Sequence, residues 1–93
     1  MPEQSDLAAQ VRDAPERSRY ELDVDGHMAF IDYRLVPGVM MMVHAEVPAA
    51  LGGRGVGQAL VRGALALARS ADFKVVPQCS FVTAMMSRHP EWV

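Results

Sequence analysis

Ninety-three residues, 51% of them hydrophobic and 22% charged, make a chain sized for one modest core, too apolar for a disordered segment and too short for two domains. The formal net charge is -2 and the basic residues are scattered, so the sequence carries no basic stripe of the kind that grips nucleic acid. Eight of the nine basic residues are arginine and only Lys74 is lysine, which points to GC-rich coding, and so to a bacterial source, more than to a binding surface.

In chain order, residues 1 to 10, MPEQSDLAAQ, read as a flexible N-terminal lead-in, and residues 11 to 93 as a single domain. The lead-in is acidic and polar where a secretory signal would be basic and then apolar. No stretch approaches the ~18 apolar residues of a membrane span, so a cytoplasmic protein is expected. A period-two alternation then runs through RYELDVDGHMAFIDYRLVPGVMMMVHAEV. It groups Tyr20, Leu22 and Val24 on a first strand, Ala29, Ile31, Tyr33 and Leu35 on a second, and Val39, Met41, Val43, Ala45 and Val47 on a third. Met40, Met42, His44 and Glu46 are thereby expected together on the opposite face of that third strand. The breaks fall at Asp25-Gly26 and Pro37-Gly38, both turn dipeptides, which makes the three strands an antiparallel meander.

The segment LGGRGVGQAL follows, with four glycines within six positions, and leads into an apolar pattern at helical spacing: Gly57, Leu60, Val61, Ala64, Leu65 and Ala68. A helix is expected from about residue 55 to 71, then a short buried strand in FKVVP. A strand, helix and strand in that order imply a right-handed crossover with the last strand parallel to the third. A short helix around SFVTAMM closes the chain. The fold class is α+β: a mixed sheet built as an antiparallel meander, then a βαβ crossover and a short C-terminal helix.

Gly53, Gly55 and Gly57 lie where strand hands over to helix. The first helical N–H groups have no intrahelical partner there, the helix dipole favours negative charge, and a backbone without side chains can approach an anion closely. The turn therefore reads either as a phosphate or pyrophosphate site, or as a loop whose glycines serve only turning and close packing. A P-loop is excluded because the glycine run ends Gly57-Gln58-Ala59 in place of Gly-Lys-Ser/Thr. A dinucleotide-binding fold is excluded because three antiparallel strands come first and only one strand follows.

At the third strand, His44 could take a proton from an ammonium acceptor, as could Glu46 if partly buried; His44 could equally be an ordinary half-exposed strand residue. Cys79, the chain's single cysteine, excludes an internal disulfide. It leads a short helix, where a thiolate can be stabilised, so it could accept an acyl group; the alternative is a small buried hydrophobe. The strand offsets of His44 and Cys79 do not bring them into contact unless the strand ends bend, which ranks a reaction without a covalent intermediate on Cys79 above one that forms it. No cysteine and histidine spacing fits a metal site, and none is expected. Met40-Met41-Met42 and Met85-Met86 could line a ligand groove or fill the core, and His89-Pro90-Glu91-Trp92 reads as an aromatic anchor packing the tail onto the sheet.

The order of elements, with SRYELDVDG, AFIDYR, VHAEVP, GRGVG, PQCSFV and HPEW in sequence, resembles the small single-domain branch of the GNAT superfamily of N-acetyltransferases over roughly residues 11 to 92. The turn motif of that superfamily, Gln/Arg-x-x-Gly-x-Gly/Ala, is met by Gly55-Val56-Gly57 with Arg54 just before, while its first position holds Gly52. The resemblance implies acetyl-CoA as co-substrate, with its pyrophosphate on the turn N–H groups of Gly53, Arg54, Gly55, Val56, Gly57 and Gln58. Its pantetheine arm would lie along the backbone at Val43, Ala45 and Val47, between splayed third and fourth main strands. It also implies an amine acceptor in a shallow, open pocket, no nucleic-acid or membrane partner, and a monomer or weak dimer. The alternative function is a non-catalytic acyl-CoA-binding or interaction module.

Overall fold

The computed structural model describes residues 7–92. Five strands form one sheet in chain order: β1 (Arg12–Ala14), β2 (Arg19–Val24), β3 (His27–Val36), β4 (Val39–Glu46) and β5 (Lys74–Pro77). The first four pair antiparallel, and β5 joins β4 in parallel after the helix α1 (Val56–Ser70); α2 (Ser80–Arg88) follows β5. The meander, the crossover and the closing helix are those expected from the sequence. Asp25 and Gly26, both at positive φ, form the two-residue turn between β2 and β3 that matches the right-handed twist of the strands.

Both helices lie on one face of the sheet. Tyr20, Leu22, Ile31, Met40 and Met42 from the strands meet Leu60, Val61, Ala64 and Ala68 of α1 and Val82 of α2 in one buried cluster. The short strand β1 was not foreseen; three residues offer too little alternation for a periodic signal, and the pairing Arg12↔Glu21 to Ala14↔Arg19 creates it. Of the lead-in expected over residues 1 to 10, residues 1–6 lie outside the described residues. Residues 7–9 form a helical turn in which Leu7 and Ala8 pack against the core.

That contact explains Gly63, a residue that weakens an isolated helix. A Cβ there would stand 2.4 Å from the Ala8 carbonyl oxygen and 2.6 Å from Val11 Cγ2. Gly63→Ala would favour the helix by about 1 kcal/mol in isolation, yet it is expected to cost about 1–3 kcal/mol of stability by overpacking, seen as a lower midpoint in thermal unfolding. An unchanged or raised midpoint would show that the Ala8 backbone moves aside without cost.

The other face of the sheet carries one buried charge. Glu21 is 2% exposed and meets Arg12 at 2.8 Å, Arg17 at 2.7 Å and Arg19 at 3.1 Å. Hydrogen bonds from Arg17 hold its carboxyl below the ordinary glutamate range, and the charges of Arg17, Arg12 and Arg19 add to that effect against the cost of burial. A depressed native pKa means that the cluster stabilises the fold fully above about pH 4.3 and loses this contribution as pH falls through the native value. Glu21→Gln is therefore expected to lower the unfolding midpoint at neutral pH and to flatten its decline between about pH 5 and 3. An acid profile identical to that of the unaltered protein would remove Glu21 from the account.

Candidate active site

The site begins where β4 loses one neighbour. Parallel pairing with β5 runs from Val39↔Lys74 to Met42↔Pro77 and stops. The Met42 carbonyl then accepts both the Gln78 N–H at 2.8 Å and the Cys79 N–H at 3.1 Å, which turns the chain out of β5 and into α2. Beyond Met42, the β4 backbone at Val43 to Val47 has no strand on that side, so the two strand ends splay.

A β-bulge sits at the same place. Tyr33 opposes Met42 and Asp32 opposes His44, leaving Val43 as the extra residue. The bulge reverses which residues face the core, and this corrects the face expected from unbroken alternation. Met40 and Met42 are buried in the core, while Val39, Met41 and Val43 are not. After the bulge, Ala45 and Val47 pack against the core and His44 and Glu46 face outward. Hence Met40 and Met42 do not share a face with His44 and Glu46.

The glycine turn lies beside this opening. Gly55 is the N-cap residue of α1 with φ 73°, a left-handed conformation that costs an L side chain about 1–2 kcal/mol. No side chain caps the helix, and the first backbone bond at its start is Ala59 N–H to the Gly55 carbonyl. Among the described residues, the N–H groups of Gly53, Arg54, Gly55, Val56, Gly57 and Gln58 make no backbone hydrogen bond. Those of Val56, Gly57 and Gln58, the first of α1, lie at the positive end of the helix, where an anion is favoured. A groove of about 280 Å³ runs alongside, lined by Val47, Gly53, Gly57 and Gln58 on one side and by Phe81 and Met85 of α2 on the other. Gly57 permits that closeness: a Cβ there would fall 2.7 Å from Phe81 Cζ and 3.5 Å from Val47 Cγ2.

Around the cradle, Arg54 forms an ion pair with Asp25 of the β2–β3 turn at 2.8 Å. The Gln58 side chain meets His89 Nε2 at 3.3 Å, and His89 stacks on Trp92 at 3.9 Å between ring centroids. The tail through Trp92 therefore packs along α1, with Arg69 Nη2 donating to the Trp92 carbonyl at 2.6 Å, and the Trp92 side chain packs against the core.

On the open face, His44 Nε2 lies 2.9 Å from Glu46 Oε2, with the His44 side chain 53% exposed. An ionised carboxylate only accepts, so Nε2 is the donor in this pair. Phe30 stands 6.1 Å from the His44 ring, with the Arg19 guanidinium 4.3 Å above the Phe30 ring centre. Cys79 is half-buried against the core at the N-cap of α2, its carbonyl accepting from Thr83 N–H and Oγ1. His44 and Glu46 are thus brought together, and Cys79 packs with the helical side of the sheet. Among the described residues no group of three His, Cys, Asp or Glu side chains could hold a metal ion, and no helix is long and apolar enough to cross a membrane.

The model of the GCN5-related N-acetyl-transferase family matches residues 19–93. The chain belongs to this family. Its fold is similar to the solution structure of a GCN5-like candidate N-acetyltransferase from Staphylococcus aureus, with a TM-score of 0.68 and 26% identity over 88% of this chain and 81% of that one. No curated protein matches the sequence. Membership in the GCN5-related family gives acetyl transfer as the general class of chemistry, on a five-stranded mixed sheet flanked by helices.

Sequence reasoning missed Phe81 in the second wall of the groove, although its i, i+4 spacing from Met85 on a predicted helix was a usable signal; Met85, expected to line a groove or fill the core, lines this one. It had no signal for the bulge at Val43 or for Asp25 as the partner of Arg54. Gly55→Val is expected to cost about 1–2 kcal/mol of stability through its positive φ and to weaken coenzyme A binding in calorimetry at least tenfold, well beyond the small loss of fold. Equal affinity in the folded variant would move the anion site away from this turn.

Proposed function

We propose that the protein transfers an acetyl group from acetyl-CoA to an amine. The observation that carries this reading is the row of unengaged N–H groups from Gly53 to Gln58, opening directly onto the groove between β4 and α2. The residues fit the coenzyme: the turn offers donors without side chains in the way, and the groove leads from the turn to Val47, just past the end of β4, whose backbone beyond Met42 lacks a β5 partner. The N–H groups of Gly53, Arg54, Gly55, Val56, Gly57 and Gln58 would hold the pyrophosphate, and the backbone at Val43, Ala45 and Val47 would pair with the pantetheine amides. Acetyl-CoA supplies the activated acyl group.

In direct transfer the amine nitrogen bonds to the thioester carbonyl carbon, the carbon–sulfur bond breaks, and the sulfur leaves as the coenzyme thiolate. His44 takes the proton lost by the amine, its Nδ1 serving as base when unprotonated while Glu46 fixes the ring through Nε2. A β4 backbone N–H beyond the splay steadies the developing oxyanion. Cys79, packed against the core, donates at most a proton to the leaving thiolate.

The test is to incubate the protein with acetyl-CoA and a mixed amine panel and to follow thiol release together with acetylated products by mass spectrometry. Acceptor-dependent thiol release is the expected result; coenzyme binding without it would leave a binding module. His44→Ala is expected to slow turnover ~10²-fold, and Cys79→Ala to retain substantial activity. A hydroxylamine-labile acetyl group on Cys79, passed to an amine at the rate of turnover, would replace direct transfer with a covalent route.

A further inference from the structure

We infer a second small-molecule site, for an amphipathic monocarboxylate carrying one ring or a short chain, in the cavity between the C-terminal half of α1, the start of β5 and the tail. The cavity holds about 250 Å³ and is lined by Leu65, Arg69, Phe73, Lys74, Val75 and Trp92. A cavity of about 150 Å³ already accommodates benzene, so this volume takes a ring with a short arm. Leu65 is buried and Phe73, Val75 and Trp92 pack against the core, which gives four apolar walls that do not collapse onto one another.

The two polar members are both cations. Arg69 spends Nη2 on the Trp92 carbonyl and keeps its other donors, while Lys74, among the described residues, makes no ion pair. Among the described residues no carboxylate lines the space. Glu91, next to Trp92, is turned to His89 at 3.2 Å, and Asp72, next to Phe73, is exposed and outside the lining. The charge complement of this rim is therefore an anion. Its planar guanidinium and adjoining ammonium suit a carboxylate, and the apolar walls disfavour a small, fully hydrated ion such as free phosphate, which would be dehydrated against hydrocarbon.

The site is separate from the acetyl-CoA cradle proposed above. Leu65 lies ten residues along α1 from Gly55, about 15 Å at the rise of an α-helix, and the two sets of lining residues have no member in common.

Trp92 is the chain's only tryptophan and forms one wall, so its fluorescence reads the site directly. Titration with 3-phenylpropionate is expected to give a saturable change in the millimolar range, and the neutral isostere 3-phenylpropanol to bind at least fivefold more weakly. Acetate, which lacks the apolar body, should give no change. Lys74→Glu should weaken 3-phenylpropionate about tenfold, and Gly55→Val, which alters only the cradle, should leave it unchanged. Equal binding of the alcohol and the acid, no saturable change in the folded protein, or indifference to Lys74→Glu would overturn the site. Loss of binding in Gly55→Val would do so too, by placing the carboxylate in the cradle. Acceptor-dependent thiol release is measured independently, so failure of the transferase reading leaves this result standing.

Discussion

The Met42 carbonyl, accepting from both Gln78 and Cys79, decides most of what is distinctive in this molecule. One oxygen closes the β4–β5 ladder and starts the turn into α2, so β5 ends after four residues and β4 continues with a single neighbour. A strand with an unpaired side exposes a row of backbone donors and acceptors, which folded proteins ordinarily cover or pair. Here the row lies on the side where β5 stops, and Val47 just beyond it lines the groove with Phe81. The bulge at Val43 acts in the same place: the extra residue turns His44 and Glu46 out to the open face while returning Ala45 and Val47 to the core.

Closeness between α1 and its neighbours is the second constraint, and small residues supply it at two points. Gly57 admits Phe81 and Val47 near the helix start, and Gly63 admits the Ala8 backbone in its middle. These glycines weaken the helix in isolation by up to about 1 kcal/mol each, and the packing they permit offsets that. Gly55 has a different duty, since its positive φ lets the chain enter the helix with its N–H groups presented outward. The tail adds a third contact along the same helix, from Gln58 through His89 and Trp92 to Arg69.

The open face of the sheet is organised by charge more than by packing. Glu21, buried among three arginines, ties β1, β2 and the turn at Pro15–Arg17 into one unit, and every buried polar side-chain atom among the described residues has a partner. Arg19 extends that unit over Phe30, which neighbours His44. The histidine thus stands at the border between a fixed ionic cluster and the splayed end of β4, open to an incoming molecule.

The amino-acid pattern by itself determined the elements and their order, because alternation, turn dipeptides and helical spacing are local. Tyr20, Leu22 and Ile31 alternate as a half-buried strand must, Asp25-Gly26 demands a tight turn, and Leu60, Val61, Ala64 and Leu65 form one helical stripe. The glycine turn was legible for the same reason, since N–H groups at a helix start are orphaned whatever the fold. Tertiary structure alone decided the rest. A bulge depends on the partner strand, so nothing within VMMMVHAEV shows that Met40 and Met42, and not Val39, Met41 and Val43, face the core. The three-residue β1 exists because Glu21 and its neighbours on β2 are there to pair with it. Gly63 in α1 is explained only by the Ala8 backbone against it, 2.4 Å from where a Cβ would stand. Each of these rests on residues distant in the chain meeting in space, and local periodicity contains no information about such meetings.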